Sequence, residues 1–89
     1  MKQVTLNGKK MTDISSAHDY IAQKLGFPEY YGKNLDALAD CVSEYCLDKY
    51  IRFTHFDEAE KNLGDYAERL VEVFTDIAEE NTGIRFKRV

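Results

Sequence analysis

The sequence predicts an α/β fold in which a three-stranded parallel sheet is packed with about four helices. Three segments, "QVTL", "YIRFTHF" and "GIRFKRV", alternate polar with apolar residues or are rich in β-branched and aromatic residues, as strands are. Two helical segments separate each strand from the next, and such crossovers join parallel strands. The chain has 89 residues, of which 44% are hydrophobic, so we expect residues 1–89 to form a single domain.

The first strand is followed by a turn and a helix. Asn7 and Gly8 form a dipeptide that is typical of turns. In the segment "SSAHDYIAQKLG" we expect Ser16 to be the N-cap, Asp19 to be its capping-box partner and Gly26 to end the helix. The predicted core face consists of Ala17, Ile21, Leu25 and, at its margin, Tyr20.

The loop "FPEYYGK" leads into a second helix. Pro28 stops the first helix from continuing, and Gly32 permits a positive φ. Asn34 is a suitable N-cap for the helix "LDALADCVSEYC". The apolar face of that helix has the spacing i, i+3, i+7, i+10 and comprises Leu35, Leu38, Val42 and Tyr45. A different face carries Asp36, Ala39, Asp40 and Ser43.

Two further helices follow the second strand. The segment "DEAEKNLG" predicts a short helix that ends at Gly64, and "DYAERLVEVFTDIAEEN" is the most regular helical pattern in the chain. Its predicted core stripe is Ala67, Leu70, Val71, Phe74, Ile77 and Ala78. Outside that stripe, Glu68, Glu72 and Asp76 form an acidic row.

The net charge of the chain indicates which classes of partner are disfavoured. The net charge is −4 and the pI is about 5.1, which disfavours nucleic acid or an anionic membrane as a direct partner. No segment approaches the run of about 18 apolar residues that a membrane span needs. The first residues contain no apolar core of a signal peptide, so we expect a cytoplasmic protein.

Neither a metal site nor an enzyme is predicted. Cys41 and Cys46 are five residues apart, about 500° around a helix, so we expect free thiols. Their spacing to His18 and His55 matches no pattern of metal ligands, and neither histidine has an evident partner. Motifs of catalytic triads, P-loops and zinc proteases are absent from the sequence. We therefore expect no cofactor, although a small hydrolase that uses its paired aspartates is a disfavoured alternative.

The stretch "PEYYGKNLDALADC" combines aromatic, glycine and acidic residues on a predicted surface. A solvated helix face is the commonest explanation of acidic rows, and we expect one of the two tyrosines to pack against the domain. However, Asp36, Asp40 and Glu44 follow one another at i, i+4 with no lysine between them, which costs a few tenths of a kcal/mol per pair. A surface for a cationic partner explains this pattern, because carboxylates accept paired hydrogen bonds from arginine.

The same stretch carries a family resemblance. "FPEYYGKNLDALADC" resembles "LPEYYGENLDALWDC" of the barstar family, the intracellular inhibitors of barnase-type ribonucleases, and differs from it at Phe27, Lys33 and Ala39. "VTLNG", "HFDEAEKNL" and "VEVFTDIAEE" also resemble barstar segments at the same spacing. The resemblance covers nearly the whole chain. It implies three parallel strands with four helices, and a protein that is monomeric when free.

The resemblance also implies a binding mode, in which the loop and the second helix block the active site of a basic, guanyl-specific microbial ribonuclease. Carried over by position, Tyr30 would cover the catalytic histidine of the nuclease. Asp40 would occupy a phosphate subsite among arginines, with Asp36 beside it. Gly32 and Asn34 would contribute backbone contacts.

Several positions in and around the implied binding surface depart from the family pattern. Asp76 would reach a peripheral arginine and replaces a glutamate, and Ser43 lies where the family often has threonine. Ala39 replaces a tryptophan, and Glu44 and Tyr45 replace glycine and tryptophan. These differences predict a partner other than barnase itself.

The sequence thus supports two hypotheses of different classes. The first is a ribonuclease inhibitor or immunity protein. The second is an acidic protein-interaction module that binds a different basic protein without inhibiting a ribonuclease, and the loss of the tryptophan at Ala39 favours it.

Overall fold

Three parallel strands form the sheet of the protein, whose computed structural model describes residues 1–89. The strands are β1 (Lys2–Asn7), β2 (Lys49–Thr54) and β3 (Ile84–Arg88), and β2 lies between the other two. Both pairings are parallel, and Lys2 is paired with Lys49. The predicted α/β fold with a three-stranded parallel sheet is confirmed.

Four helices connect the strands. They are α1 (Ile14–Leu25), α2 (Leu35–Tyr45), α3 (Phe56–Leu63) and α4 (Tyr66–Glu80), and a short 3₁₀ turn covers Gly8–Lys10. α2 packs against α4, α4 also contacts α3 and β3, and α1 contacts β1. None of these helices has the length and apolar character that a membrane crossing requires. The packing of α2 on α4 leaves the other side of α2 available to solvent.

A single cluster of 19 buried residues forms the hydrophobic core. Leu38 and Val42 of α2 meet Leu70 and Phe74 of α4 in this cluster, and all four side chains are fully buried. The ring of Phe74 stacks on Phe86 of β3, with centroids 5.1 Å apart. The predicted core faces are thereby confirmed, while the residues at their margins are half-buried: Leu35, Tyr45, Ile77 and Ala78.

The start of α1 differs from the prediction. Asp13, not Ser16, is the N-cap, and its carboxylate accepts a hydrogen bond of 2.7 Å from the Ser16 backbone N–H. This hydrogen bond lowers the pKa of Asp13, as expected for a carboxylate that accepts from a helix N-terminus. The helix begins at Ile14, so Asp19 cannot be a capping-box partner. Gly26 ends the helix in the left-handed conformation, with φ 74°, as predicted.

The second strand is shorter than the prediction. It ends at Thr54, because His55 adopts a left-handed conformation with φ 53° and turns the chain into α3. Phe56 is therefore the first residue of a helix, and its ring packs 6.0 Å from that of Phe53. Phe56 therefore contributes its aromatic ring to the core from a helix rather than from the strand. α3 ends at Gly64 as predicted.

Candidate protein-binding site

Two adjacent tyrosines of the 27–34 loop, which joins α1 to α2, face opposite ways. Tyr30 is 84% exposed, whereas Tyr31 is only 8% exposed. The backbone N–H of Tyr31 donates to the Pro28 carbonyl at 3.1 Å, and its ring lies 5.0 Å from that of Phe27. The prediction that one tyrosine packs against the domain is confirmed. The loop thus presents one large aromatic side chain to solvent.

Tyr31 is held in place by His18, a histidine for which the sequence indicates no partner. Nδ1 of His18 lies 2.7 Å from the Tyr31 hydroxyl, and Nε2 lies 2.7 Å from the hydroxyl of Tyr66 on α4. His18 is fully buried. Its spacing of i+3 and i+7 to Ile21 and Leu25 places it on the buried face of α1, and this periodicity is the signal that could have revealed it.

Burial keeps all three of these groups uncharged at neutral pH. Desolvation lowers the pKa of His18, with a smaller contribution from the positive charge of Lys33. Desolvation also raises the pKa values of Tyr31 and Tyr66. A neutral imidazole between two neutral phenols satisfies its donor and its acceptor without burying a charge.

The backbone of the loop lies directly on the first turn of α2. A Cβ at Gly32 would lie 3.2 Å from the Cβ of Ala37, closer than side chains normally approach. The predicted positive φ belongs to Lys33, with φ 54°, and not to Gly32. Lys33 Nζ in turn lies 2.9 Å from the Asp19 carboxylate and 3.0 Å from Ser15 Oγ. Close approach, rather than a left-handed conformation, is what favours glycine at position 32.

Asn34 joins the loop to α2. Its side-chain oxygen accepts a hydrogen bond of 2.8 Å from the Ala37 N–H, which confirms the predicted N-cap. Its side-chain nitrogen donates to the Gly32 carbonyl at 3.3 Å. Because both ends of this amide are occupied within the protein, the orientation of the loop relative to the first turn of α2 is fixed.

The exposed side of α2 carries unpaired carboxylates. Asp36, Asp40 and Glu44 are all exposed and follow each other by one helical turn, a rise of about 6 Å per step. Neither of the chain's two salt bridges involves them. The predicted like-charge row, here called the acidic face of α2, is therefore present and has no internal counter-charge.

A notch of about 220 Å³ lies between the loop and α2. Interaction with the Tyr30 side chain, together with desolvation, raises the pKa of Tyr45 to about 12. Burial, and then the carboxylates of Glu44 and Asp40, raise the pKa of the Cys41 thiol. The phenol of Tyr45 and the thiol of Cys41 thus stay neutral, while the neighbouring Asp40 and Glu44 are carboxylates. The charge of the notch is therefore negative, which suits a cationic side chain of a partner. The notch is lined by Pro28, Tyr30, Tyr31, Gly32, Ala37, Asp40, Cys41, Glu44 and Tyr45.

Comparison with known proteins identifies the family of the chain. A family model described as Barstar (barnase inhibitor) matches residues 1–89. The chain belongs to the barstar family. A protein of Bacillus subtilis (strain 168) with the name "Putative ribonuclease inhibitor YrdF" is 36% identical to it over 81 residues, which cover 90% of this chain and 89% of that relative. The resemblance found in the sequence is confirmed, and membership of a family described by barnase inhibition points to a ribonuclease as partner.

Three positions at which the chain differs from the barstar segments that it resembles, Ala39, Ser43 and Glu44, lie on the outer side of α2. Ala39 is half-buried, and the alanine leaves this part of the helix without the large aromatic side chain that the resembling barstar segment implies. The hydroxyl of Ser43 donates to the Ala39 carbonyl at 2.9 Å and is therefore occupied within the helix. Asp76 is exposed on α4, the helix against which α2 packs.

The cysteines and histidines form no metal centre. No group of three or more His, Cys, Asp or Glu side chains is arranged to hold a metal ion. Cys41 and Cys46 are both free, as predicted. Cys46 caps the C-terminus of α2 and is fully buried, and desolvation raises its pKa to about 11.

Proposed function

We propose that this barstar-family chain is an intracellular inhibitor of a guanyl-specific microbial ribonuclease of barnase type. Residues 1–89 act as a single domain that is monomeric when free and blocks the nuclease active site stoichiometrically. The observation that carries the proposal is the position of Tyr30, which is 84% exposed on an anchored loop beside the unpaired carboxylate of Asp40. Family membership supports the choice of a ribonuclease.

The carboxylates of α2 would imitate RNA phosphates. A ribonuclease binds phosphate with arginine and lysine side chains, and a carboxylate accepts the same paired hydrogen bonds from a guanidinium group. Asp40 would occupy the phosphate subsite among arginines, with Asp36 one turn before it. Because both carboxylates lack a partner in the free chain, binding would not require an internal ion pair to break. Inhibition of this kind needs no cofactor, metal or direct contact with nucleic acid.

In the proposed complex, the loop would provide shape complementarity to the nuclease, and the acidic face of α2 would provide charge complementarity. Tyr30 would cover the catalytic histidine of the nuclease, since a rigid aromatic ring gives contact area at a low entropic cost. Gly32 and Asn34 would make backbone contacts, because the Asn34 side chain is already used as a cap. Ala39 and Ser43 would belong to the same patch of α2 as Asp40, and Asp76 would lie at the periphery of the interface.

A titration of nuclease activity tests the proposal. Purified barnase and other guanyl-specific ribonucleases of the same type would each cleave a fluorogenic RNA in the presence of increasing amounts of the chain. We expect the activity of at least one of them to fall linearly to zero at equimolar inhibitor. Full activity of every nuclease in the panel at a large molar excess of the chain would overturn the proposal.

A second candidate function is an acidic interaction module for a different basic protein. It is favoured by Ala39, because the missing tryptophan removes contact area from the surface that a barnase-type enzyme would cover. The two candidates differ in one measurement. Calorimetric binding of a nuclease that keeps its full activity in the complex would support the interaction module, whereas loss of activity on binding would support the inhibitor.

A further inference from the structure

The buried hydrogen bonds of His18 connect three parts of the chain that are distant in sequence. Tyr31 lies 13 residues and Tyr66 lies 48 residues from His18 along the chain. The imidazole ring lies 5.7 Å from the Tyr31 ring and 5.8 Å from the Tyr66 ring, between centroids. The Tyr31–His18–Tyr66 relay thus ties the 27–34 loop to α1 and α4. The proposed inhibition assigns no role to these three side chains, although Tyr31 also lines the notch.

We propose that His18 is a positioning residue for the 27–34 loop, and that its relay to Tyr31 and Tyr66 fixes the direction in which Tyr30 faces the ribonuclease. This inference rests on the proposed function. Its structural basis is that Tyr31 is held inward by the relay while its neighbour Tyr30 is 84% exposed. A loop that is ordered before binding loses less conformational entropy on binding.

The other side-chain contact between the loop and α1 is weaker. Lys33 reaches the Asp19 carboxylate at 2.9 Å, but the two side chains are 41% and 65% exposed. Exposed ion pairs of this kind contribute little to stability and are screened by salt. The relay, in contrast, joins a fully buried imidazole to a nearly buried phenol, where an unmade hydrogen bond is expensive. The buried anchor therefore dominates the position of the loop relative to α1 and α4.

The relay requires a neutral imidazole. One ring nitrogen then donates to one phenol while the other accepts from the second phenol. A protonated ring has two donors and no acceptor, so the phenol that donates to the neutral ring would have to find a new acceptor for its proton. The charged or titratable groups that act on His18 are the two phenols, the cation Lys33, which disfavours protonation, and the anion Asp19, which favours it. Burial is the largest cause that keeps the ring neutral.

Phenylalanine variants test the relay while they preserve the aromatic rings. Tyr31→Phe and Tyr66→Phe each remove one hydroxyl of the relay. The matched control is Tyr20→Phe, which removes a phenol of α1 that accepts from the Asn7 backbone N–H at 2.9 Å, outside the loop. Backbone ¹⁵N relaxation of the loop amides is measured in the free chain, and dissociation constants are measured for a nuclease that the wild-type chain inhibits.

We expect both relay variants to show increased motion of the loop amides and a roughly threefold to tenfold higher Kd, which corresponds to one hydrogen bond. Tyr20→Phe should leave the motion of the loop and the Kd unchanged. Loop relaxation and Kd in the relay variants that match those of Tyr20→Phe would overturn the proposal. If the wild-type chain inhibits no nuclease, the proposed function fails, while the relaxation measurements still decide whether the relay orders the loop.

The pH dependence of the loop separates positioning from a general loss of stability. In the wild-type chain, the motion of the loop should increase as His18 becomes protonated. The ¹⁵N chemical shifts of the His18 imidazole report this protonation. His18→Gln retains a donor and an acceptor but cannot titrate, so its loop should be ordered to the same extent across that pH range. A wild-type loop that stays equally ordered after His18 is protonated would refute the relay as a positioning device.

Discussion

A Cβ at Gly32 would lie 3.2 Å from the Cβ of Ala37, so the backbone of the 27–34 loop rests on the first turn of α2. The Asn34 side chain spans the same junction, with one hydrogen bond to Ala37 and one to Gly32. Loop and helix therefore form one unit. The distance between the aromatic side chain of Tyr30 and the carboxylates of α2 is set by this contact.

Gly32→Ala should destabilise the chain through this contact. The added methyl group must displace Ala37 or the loop by a few tenths of an ångström, and overpacking of this kind costs about 1–3 kcal/mol. Ala37→Gly removes the opposing methyl group and by itself costs about 1 kcal/mol in helix propensity. In the double variant the steric cost disappears, so the free energy of unfolding should fall by less than the sum of the single losses. Urea unfolding of the four proteins measures this coupling.

Gly83→Ala is the matched control for the steric argument. A Cβ at Gly83 would meet the Asp48 backbone nitrogen at 3.6 Å, an ordinary contact. This substitution should be neutral, or should stabilise by up to about 1 kcal/mol because it restricts the unfolded chain. Additive losses for Gly32→Ala and Ala37→Gly would contradict the proposed contact.

Leu38→Ala and Phe74→Ala should each lower the free energy of unfolding by about 2–5 kcal/mol. Both side chains are fully buried where α2 meets α4, so each truncation leaves a cavity. Leu47→Ala is the control, because Leu47 is 59% exposed. This substitution should change the free energy of unfolding by no more than about 0.5 kcal/mol. Denaturant unfolding gives all three values, and losses under about 1 kcal/mol for both core variants would contradict the observed packing.

The sequence predicts best those elements whose structure is determined by residues close to one another in the chain. α4 follows from its regular apolar spacing, which the buried Leu70 and Phe74 confirm. The start of α2 follows from Asn34, because the side chain of an N-cap accepts a hydrogen bond from a backbone N–H only two or three residues away. At the site, the acidic face of α2 was also predictable, because helix periodicity decides which side chains of a helix face away from the core. The expectation that one of the two loop tyrosines packs against the domain was correct as well, but the sequence alone did not say which one.

The errors arose where tertiary contacts decide the structure. Phe56 has a strand-forming side chain, but the left-handed turn at His55 assigns it to a helix. The phenols that bind His18 come from the loop and from α4, and nothing in the local sequence links them. Asp13 and Ser16 are equally good caps by residue type, so the choice between them depends on where the preceding chain enters the helix.

Asp40→Ala should weaken binding to an inhibited ribonuclease more than any other single change of an acidic residue to alanine. Asp40 lines the notch with Tyr30, near the middle of the proposed interface. Removing a central charge leaves the arginines of the partner buried without a counter-charge, which typically costs 2–5 kcal/mol or more. Isothermal titration calorimetry against a nuclease that the chain inhibits measures the loss.

Asp76→Ala is the control for Asp40→Ala. Asp76 lies on α4 at the proposed periphery, where exposed pairs contribute about 0–1 kcal/mol. The free energy of unfolding of the free Asp40→Ala protein should stay constant or rise slightly, because the repulsion from Asp36 and Glu44 is relieved. Equal losses of affinity in the two variants, or a clear destabilisation of the free Asp40→Ala chain, would refute the central role of Asp40.

The association rate with the ribonuclease should fall as salt is added. The net charge of the chain is −4, and the acidic face of α2 has no internal counter-charge. Electrostatic attraction to a basic active site accelerates the encounter, and ions screen it beyond a Debye length of about 10 Å at 0.1 M. Stopped-flow mixing at several sodium chloride concentrations gives the rate. The dissociation rate should change less, and a salt-independent association rate would argue against electrostatic steering.

The stability of the chain should fall in mild alkali because of Cys46. Burial raises the pKa of its thiol to about 11, from an ordinary value of 9.0. Above pH 9 the unfolded chain therefore loses this proton before the native chain does. The unfolded state then binds fewer protons, so the free energy of unfolding decreases as pH rises from about 9 towards 11. Between pH 8 and 10 the thiol should account for a loss of about 1 kcal/mol.

Cys46→Ala isolates this contribution. The variant has a lower stability at pH 8 because the truncation leaves space in the core, so the slopes of stability against pH are compared rather than the absolute values. The Cys41 thiol also has a raised pKa, and so do Tyr31, Tyr45 and Tyr66. These four groups are present in both proteins, so their contributions cancel when the two slopes are compared, and the tyrosines contribute chiefly above pH 10. Urea unfolding at half-unit steps from pH 8 to 10 should show a shallower decline in Cys46→Ala. Parallel declines in the two proteins would mean that the Cys46 thiol titrates near its ordinary pKa in the native state.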